Sequence, residues 1–563
     1  MKKMIKKDSC YDYEYESIWS QYSHIKQSQR FLSNDSEDLS KICDVYNFRD
    51  EEHPRIAAGV PIHYDLTRQK LYCLRYGPHV RVSGESGKKK TRSIVRPKIL
   101  ACALNQDSFL INDPKGELYG DKSIMHLLQE KGYETHCINL REFSGDGLNI
   151  LKPAMNFEKE GQKTKADIYI EKLLGNLLEN NPAKDPFWPK EAQRMIRSII
   201  NILRRLVDLT GDEEVFNLAS VKSFVRMDYL YIKQIAEMLL EVMPENSPCN
   251  PARELLNILN AAENTVRSVI ISASAMIEEF TVCEALLKQI SSSTFAPREM
   301  YEKPMAVFFI IPDETSGMDN VASYLIDMVY QELVDEHTRQ YRDKPEGAPR
   351  DVHFIIDECS NTCVPNLGSK VSISRSRQIY FTIVYQNDAA MEAAYGKDWQ
   401  NIKNNMQAHL FLGNSNEEVL KQIAEEAGTI CLLKGQETIP AVSINDLRHM
   451  RKTRTYKDAL VMAGDYLYAA RLPDYEVYPM FVQTDKEISW NDYLEDRELC
   501  VLTPEDLYSK LISAEISFEK SDESEEVQTS KSEKKEEEEM EEDIEEKLSK
   551  LYDKLFGGEE DDS

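Results

Sequence analysis

The 563-residue chain lacks the features that mark membrane, secreted and zinc-ribbon proteins. No apolar run approaches the ~20 residues of a membrane helix, and the longest, residues 305–311, has the length of a strand. The basic start of the chain has no apolar signal-peptide core. The 11 cysteines include no Cys-x-x-Cys pair, which argues against a disulfide framework and favours a reducing compartment. These absences predict a soluble, cytoplasmic protein.

Several catalytic signatures are absent as well. The 10 histidines occur in no His-Glu-x-x-His or Cys/His spacing, so we predict no structural metal. There is also no Gly-x-Ser-x-Gly nucleophile elbow. Hydrophobic residues nevertheless make up 41% of the chain, which is enough for packed cores and excludes wholesale disorder.

Negative charge is concentrated at the C-terminal end. The net charge is −28, from 97 acidic and 69 basic residues. Residues 519–563 hold 20 acidic and 7 basic residues, a net of −13, which leaves 97 − 20 = 77 acidic and 69 − 7 = 62 basic residues before them. Five apolar residues recur in this tail at helical spacing: Met540, Ile544, Leu548, Leu551 and Leu555. The tail is therefore either a solvated segment with incidental helicity or a helix that docks on a partner.

Short apolar runs of strand length recur through the chain. They are His79–Ser83, Ser108–Asn112, Ala306–Ile311, Val352–Ile356, Ile379–Tyr385 and His409–Leu412. Most of their central residues do not alternate with polar ones, which is typical of strands that are buried on both faces. The pattern predicts an α/β fold with a mostly parallel sheet covered by helices.

The stretch between the second and third of these runs has helical periodicity instead. Its apolar residues form two stripes: Met195, Ile199, Leu203 and Leu206, and Val266, Ile270, Ala273 and Ile277. Asp185 directly precedes Pro186, a good helix cap before a good first-turn residue. We therefore predict an all-α insertion over about 156–300.

A glycine- and lysine-rich turn follows the first predicted strand. It reads Gly84-Glu85-Ser86-Gly87-Lys88-Lys89-Lys90-Thr91. The P-loop pattern G-x-x-x-x-G-K-[ST] cradles phosphates with backbone N–H groups, its lysine and its hydroxyl. Lys89 stands where that pattern has its second glycine, and we expect its side chain to crowd the turn or the phosphates. A basic strand–helix turn without a ligand is the alternative interpretation.

An acidic pair, Asp357-Glu358, ends the strand predicted over Val352–Ile356. In a P-loop ATPase one such carboxylate supports the Mg²⁺ shell and the other activates water. On its own the pair is weak evidence for such a site, because many strands end in acids that cap the next helix. Combined with a P-loop-like turn in an α/β pattern, it favours a nucleotide site.

The second predicted strand is followed by Asp113, Pro114, Lys115, Gly116 and Glu117. At this point the sequence resembles the TraG/TraD-type coupling proteins of conjugative type IV secretion. The elements that carry the resemblance, in the family's order, are Asp113-Pro114-Lys115-Gly116-Glu117-Leu118, Asp185-Pro186-Phe187-Trp188, Ile311-Pro312-Asp313, Asp357-Glu358 with Asn361, Arg375-Ser376-Arg377, Tyr385-Gln386-Asn387 and Leu410-Phe411-Leu412-Gly413. They span about 80–475. Cys359 replaces the family's phenylalanine, a mild change because both residues pack as apolar groups.

The resemblance implies a RecA-like P-loop core interrupted by an all-α domain. Such subunits form a homohexameric ring that uses ATP and Mg²⁺ to link DNA, single-stranded or bound to a relaxase, to the channel proteins of type IV secretion. It places the nucleotide on Gly84, Glu85, Ser86, Gly87, Lys88, Lys89, Lys90, Thr91 and Arg92.

The resemblance also implies individual roles. Thr91 and Asp357 would bind Mg²⁺, Glu358 would polarise water and Gln386 would sense the γ-phosphate. Arg375 or Arg377 would act as an arginine finger in a neighbouring subunit, although DNA-backbone contact and a surface ion pair stay open for both.

The predicted boundaries follow from these patterns. They are 1–78, an N-terminal region without membrane helices; 79–155 and 301–475, the two parts of the RecA-like core; 156–300, the all-α insertion; 476–518, a C-terminal extension; and 519–563, the acidic tail. Because the family's usual membrane helices are missing from 1–78, we expect peripheral attachment to the inner face of the membrane through an anchoring partner.

Two alternatives stay open. The first is a hydrolysis-deficient family member that recruits the DNA–relaxase substrate as an adaptor, because Lys89 alters the P-loop. The second is an FtsK-like DNA translocase, which shares the core chemistry but does not predict the elements at 113–118 and 185–188. A basic cluster beside the P-loop is available for nucleotide or for DNA: Lys88, Lys89, Lys90, Arg92, Arg96 and Lys98.

The charge of the tail yields a first prediction. Like charges repel DNA, so residues 519–563 are better suited to a basic partner such as a relaxase or accessory protein. Deletion of 519–563 should weaken binding to the relaxosome, measured by pull-down. Unchanged binding would contradict this role.

Overall fold

The computed structural model of the protein describes residues 32, 36–50, 59–75, 79–179, 185–210, 212–242, 250–312, 316–344, 347–431, 438–481 and 497–507. Asp313 and the acidic tail with its apolar stripe lie outside these residues. The chain divides into two compact units: residues 1–145 with 296–491, here the sheet unit, and residues 146–295 with 492–563, here the helical unit.

The described strands all belong to the sheet unit. They are β1 (Cys43–Asn47), β2 (Pro61–Asp65), β3 (Lys70–Leu74), β4 (Val80–Ser83), β5 (Ser108–Asn112), β6 (Glu134–Asn139), β7 (Ser144–Gly145), β8 (Met305–Ile310), β9 (Val352–Ile356), β10 (Ile379–Tyr385), β11 (Ala408–Phe411), β12 (Thr429–Cys431), β13 (Thr438–Pro440), β14 (Tyr456–Ala463) and β15 (Tyr466–Pro473).

Ten of these strands form one sheet in the order β15-β14-β11-β4-β10-β9-β5-β8-β6-β7. The neighbours from β11 to β6 pair in parallel, whereas β14, β15 and β7 are joined in antiparallel fashion at the two edges. Every residue of β8 and β9 is buried. The prediction of a mostly parallel sheet that is buried on both faces is confirmed.

The position of β10 determines which chain segments meet. It lies between β4 and β9, with Tyr385 opposite Ser83 and Ile383 opposite Ile356. On the far side of β9, Ile356 is paired with Asn112 of β5. Because these four strands are parallel, the turns that follow them emerge at one edge of the sheet, which we call the carboxyl edge.

The strand boundaries predicted from the sequence are confirmed for β5, β9 and β10, and lie within one residue for β4, β8 and β11. Strands β6, β7, β14 and β15 were not predicted. The β14–β15 hairpin continues the sheet past β11, and the small antiparallel sheet β1-β3-β2 occupies the N-terminal region whose fold the sequence did not indicate. The Tyr468 hydroxyl of β15 lies 3.4 Å from His63 Nδ1 of β2, within hydrogen-bonding distance.

The helices of the sheet unit flank the sheet. They are α1 (Ser36–Leu39), α2 (Arg96–Asn105), α3 (Lys122–Glu130), α12 (Asp319–Glu336), α13 (Leu367–Ile373), α14 (Asp388–Tyr395), α15 (Asp398–Asn405), α16 (Glu417–Ala427) and α17 (Ile444–Arg448). The helical unit contains α4 (Lys152–Lys159), α5 (Lys163–Glu179), α6 (Phe187–Thr210), α7 (Leu218–Arg226), α8 (Tyr229–Val242), α9 (Pro251–Leu259), α10 (Glu263–Ile277) and α11 (Glu284–Ser291). Within the described ranges, no helix combines the length and the apolar character needed to cross a bilayer.

The helical periodicity read from the sequence is confirmed on α6. Met195, Ile199 and Leu203 of its stripe are fully buried, and Asp185 Oδ1 accepts a hydrogen bond from Phe187 N at 3.0 Å. The helical unit begins about ten residues before the predicted boundary at 156. The reason is main-chain pairing: Leu148 N donates to Gln289 O at 2.9 Å, which joins the entry of the unit to its last helix.

The described segment 497–507 belongs to the helical unit, where Asn217 holds it. The Nδ2 group of Asn217 donates to Cys500 O at 2.7 Å, and its Oδ1 caps α7 by accepting from Ser220 N at 2.9 Å. Leu502 N donates in turn to Ser220 Oγ at 3.0 Å. Since Asn217 is completely buried, water cannot replace these bonds.

We therefore predict that Asn217→Ala lowers the free energy of unfolding by about 2 kcal/mol, through loss of the cap and of a buried hydrogen bond. Hydrogen exchange measured by mass spectrometry should be faster in 497–507. Ser268→Ala is the control, because the Ser268 hydroxyl bonds only within its own helix, α10. Equal exchange in the two variants would contradict this role of Asn217.

Candidate nucleotide-binding site

The turn after β4 is shaped as a phosphate-binding loop. Gly87 has φ +75° and Lys89 has φ +64°, so two residues adopt the left-handed conformation that favours glycine. Lys90 is buried, and its ammonium donates to Gly84 O at 2.7 Å, across the mouth of the loop. Burial lowers the pKa of Lys90.

The helix after the loop opens with a π-helical turn over Thr91–Val95, in which Arg96 N donates to Thr91 O. Such turns are often found at functional sites. The first N–H groups of a helix have no partners within it, and they attract anions. The loop and this turn together provide the main-chain groups of a phosphate site.

Two predicted residues, Thr91 and Asp357, meet at the carboxyl edge. Thr91 Oγ1 donates to Asp357 Oδ2 at 3.0 Å. Burial and the neighbouring charge of Glu358 raise the pKa of Asp357 to about 6. A buried carboxylate with a raised pKa beside a hydroxyl is a strong candidate ligand for a cation, which would relieve the cost of its charge.

The other two catalytic candidates also lie together. Gln386, directly after β10, donates from Nε2 to Glu358 Oε2 at 3.3 Å. Glu358 has φ +48°, an uncommon conformation for a residue with a side chain and one that is frequent at functional sites. Thr91, Asp357, Glu358 and Gln386 are thus brought to one place from three separate turns.

Asn112 is a further member of this site that the sequence analysis missed. Its Nδ2 donates to Asp357 O and its Oδ1 accepts from Asp357 N, both at 2.5 Å. It is the last residue of β5, one strand away from the acidic pair, and is completely buried. The sequence signal that could have identified Asn112 is a polar residue at the end of an apolar strand. Asn112 holds the backbone of the turn that presents both acids.

The motif Asp113–Glu117 has mainly a structural role at this edge. Asp113 Oδ2 accepts from Leu118 N at 2.8 Å and from Tyr119 N at 3.0 Å, which closes the turn after β5. Pro114 O accepts from Arg141. Lys115 and Glu117 are exposed. After burial, the positive charge of Lys115 further lowers the pKa of the Lys90 ammonium.

The structure corrects the expectation that Lys89 crowds the turn or the phosphates. Its ammonium donates to Asp474 Oδ2 at 2.5 Å and to Arg454 O at 2.7 Å, so the side chain extends toward the end of β15. Lys452 also contacts the loop, donating to Gly87 O at 2.5 Å. The segment before β14, which the sequence analysis did not connect with the site, therefore borders the P-loop.

The basic cluster beside the loop is mostly engaged within the protein. Arg92 pairs with Asp474 at 2.7 Å, Arg96 pairs with Asp121, and Lys98 Nζ lies 3.1 Å from His353 Nδ1. Lys88 lies 3.5 Å from Glu85, whose Oε1 accepts from Ser415 Oγ at 2.8 Å. These internal partners leave little of the cluster for DNA.

Arg375 and Arg377 lie away from the other candidates. They directly precede β10, whereas Gln386 follows it, so the seven residues of that strand separate them from the carboxyl edge by about 20 Å. Arg377 Nη1 donates to Ile373 O at 3.0 Å. Neither arginine belongs to the site formed by its own chain.

Asp107, Asp351 and His353 form a second cluster of ligand-type side chains, with their ligand atoms within 4.8 Å of one another. The Lys98 ammonium lies 3.1 Å from His353 Nδ1, at one side of this cluster.

A phosphate-type loop faces an acidic pair and a glutamine, and β10 lies between the loop strand and the acid strand. This is the arrangement expected of a RecA-like P-loop core. Residues 351–456 match the family described as "TraM recognition site of TraD and TraG". The resemblance to TraG/TraD-type proteins is therefore confirmed for this segment, which contains Asp357, Glu358 and Gln386. No match is found among curated proteins.

Solved structures similar to the chain include conjugative coupling proteins. The bacterial coupling protein TrwBdeltaN70 in its unbound form is 13% identical, with 79% of this chain and 96% of that chain covered and a TM-score of 0.49. TrwB in complex with ADP and Mg²⁺ is 12% identical, with 80% and 97% covered and a TM-score of 0.47. VirB4 of Thermoanaerobacter pseudethanolicus is 13% identical, with 74% and 96% covered and a TM-score of 0.37.

The contacts of Asn112 yield a prediction. Asn112→Ala leaves the buried N–H and C=O of Asp357 without partners, so the free energy of unfolding should fall by about 1–3 kcal/mol, measured by urea denaturation. Asn404→Ala, at an exposed position of α15, is the control. A change within the error of that control would show that Asn112 does not hold the acidic turn.

Proposed function

We propose that the chain is a conjugative coupling protein of the TraG/TraD type that binds ATP with Mg²⁺ and couples a DNA–relaxase complex to a type IV secretion channel. One observation carries this proposal. The segment that matches the TraG/TraD family, residues 351–456, contributes Asp357, Glu358 and Gln386 to the same site as the P-loop lysine and threonine.

The residues at the site fit a magnesium nucleotide. Mg²⁺ prefers oxygen ligands, usually few from the protein and several from water and phosphate, and the Thr91 hydroxyl and the Asp357 carboxylate meet at 3.0 Å. The raised pKa of Asp357 indicates a carboxylate that lacks enough positive charge around it. The Lys90 ammonium, which donates to a main-chain oxygen here, supports a phosphate site beside it.

These positions suggest how the chain would promote hydrolysis. Mg²⁺ would neutralise charge that develops on the phosphates. Lys90 would bind phosphate oxygens and Thr91 with Asp357 would hold the ion. Glu358 would orient a water and accept its proton, while the Gln386 amide keeps the Glu358 carboxylate in place.

The assembly and location belong to the same proposal. A homohexameric ring would bring the edge that carries Arg375 and Arg377 to a neighbouring subunit, where either residue would act as an arginine finger or contact the DNA backbone. Relaxosome proteins, channel proteins and a membrane-anchoring partner are the expected contacts. The protein would lie at the inner face of the cell membrane. The description of the matched family as a TraM recognition site supports partners from the DNA-processing complex.

A hydrolysis-deficient adaptor is the second candidate function, because Lys89 replaces the glycine of the P-loop pattern. The contacts of Lys89 with Asp474 and Arg454 O direct it away from Lys90 and Thr91. This arrangement supports an intact phosphate site and favours the active ATPase.

The test is ATP binding and DNA-stimulated hydrolysis by the full chain. Wild type should bind ATP with Mg²⁺ and hydrolyse it. Glu358→Gln should bind ATP but lose at least about 100-fold in turnover, the usual contribution of a general base. Glu392→Gln, an exposed acid on α14, should retain turnover.

Binding of ATP without turnover in the wild type would favour the adaptor. Absence of ATP binding would contradict the nucleotide part of the proposal. Coupling is tested separately by capture of a relaxase–DNA complex on the wild-type chain, and its failure would contradict the assigned partner.

A further inference from the structure

A buried aspartate directly after β15, Asp474, accepts hydrogen bonds from Lys89 of the loop and from Arg92 of the turn that follows it. Asp474 is completely buried and accepts from Lys89 Nζ at 2.5 Å, from Arg92 Nε at 2.9 Å and from Arg92 Nη2 at 2.7 Å. Although burial opposes its charge, the hydrogen bonds from Arg92 and Lys89 keep the pKa of Asp474 below its ordinary value. Asp474 is therefore a charged acceptor that is satisfied by the loop and by the first turn after it.

Lys89 needs such an anchor. With φ +64°, it holds a left-handed conformation that costs conformational energy for any residue with a Cβ. Its side chain is only 10% exposed, and both its acceptors lie outside the loop. A charge-assisted hydrogen bond to a buried carboxylate is among the stronger polar contacts, so it is well suited to offset the strained backbone.

The same segment also holds the helix that follows the loop. The guanidinium groups of Arg92 and Arg96 lie 4.7 and 4.3 Å from the centre of the Tyr475 ring, within the range of cation–π attraction. Asp474 N donates to Thr455 O at 2.8 Å, which ties this segment to the chain that carries Arg454, the second acceptor of Lys89. Loop, helix start and β15 are therefore one connected structure.

We propose that Asp474 is the positioning residue of the nucleotide loop and that Lys89 is its anchor, in the place where the P-loop pattern uses glycine. Lys89 thus contributes through the shape of the loop and not as a phosphate ligand. The effect on nucleotide affinity rests on the proposed function above; the effect on the shape of the loop does not.

This arrangement makes glycine and methionine at position 89 behave differently. Lys89→Gly removes the anchor together with the strain, because glycine adopts positive φ without penalty. Lys89→Met removes the anchor and keeps the strain. Asp474→Asn keeps the shape of the acceptor and removes its charge.

The first measurement is hydrogen exchange by mass spectrometry on the full chain without nucleotide. Lys89→Met and Asp474→Asn should each accelerate exchange in peptides covering 84–95 at least about fivefold, with exchange in β9 and β10 unchanged. Glu476→Gln is the matched control, because Glu476 also pairs with Arg92 at 2.7 Å but from a position that is 40% exposed. If both test variants exchange at the wild-type rate in these peptides, the proposal is overturned.

The second measurement is the affinity for N-methylanthraniloyl-ATP with Mg²⁺. Lys89→Met should bind at least about tenfold more weakly than Lys89→Gly, and Asp474→Asn should weaken binding less in the Lys89→Met background than in wild type. Equal affinities of the Lys89→Met and Lys89→Gly variants would overturn the anchoring role of Lys89. So would effects of Asp474→Asn and Lys89→Met that multiply independently in the double variant. If wild type binds no nucleotide, the proposed function fails while the exchange experiment still decides the role of Asp474.

Discussion

The hydrogen bond between Thr91 and Asp357 is the contact on which the site depends. It exists because β10 lies between β4 and β9, which places the turn after β4 and the turn after β9 at the same edge. All three strands are almost entirely buried. A shift in their register would pull polar turn residues into the interior and push apolar strand ends into water, and both changes are unfavourable. The packing of the sheet thus sets the distance between the loop hydroxyl and the acid.

A second layer of polar contacts refines this geometry. Asn112 holds the backbone of Asp357 from the neighbouring strand, and Gln386 holds the carboxylate of Glu358. On the other side of the loop, Asp474 holds Lys89 and Arg92. The loop is therefore supported from both directions, by the centre of the sheet and by the outer hairpin β14–β15. A departure from the P-loop pattern is accommodated because a distant part of the chain supplies a partner for it.

Most of the sheet centre was predictable from the sequence, and its edges were not. Strands such as β5, β9 and β10 are continuous apolar runs with clear ends, a pattern that indicates burial on both faces. In contrast, β6 reads Glu134–Asn139, where polar residues interrupt the pattern, and β7 is only two residues long. These two strands are partly exposed, so their periodicity is weaker. The helical unit was predictable as helices because long amphipathic stripes, as on α6, are strong local signals.

The sequence by itself determined the chemical inventory of the site: a glycine- and lysine-rich turn after one strand, two acids after another and a glutamine after a third. These are local patterns, and each can be read within about ten residues. Only the tertiary structure decided that Asn112 holds the acidic turn, that Arg375 and Arg377 lie at the other edge of the sheet, and that Lys89 extends toward Asp474. Lys89 and Asp474 are 385 residues apart in the chain. Such pairings depend on which strands become neighbours, and that is settled by the packing of the whole sheet and not by any single segment.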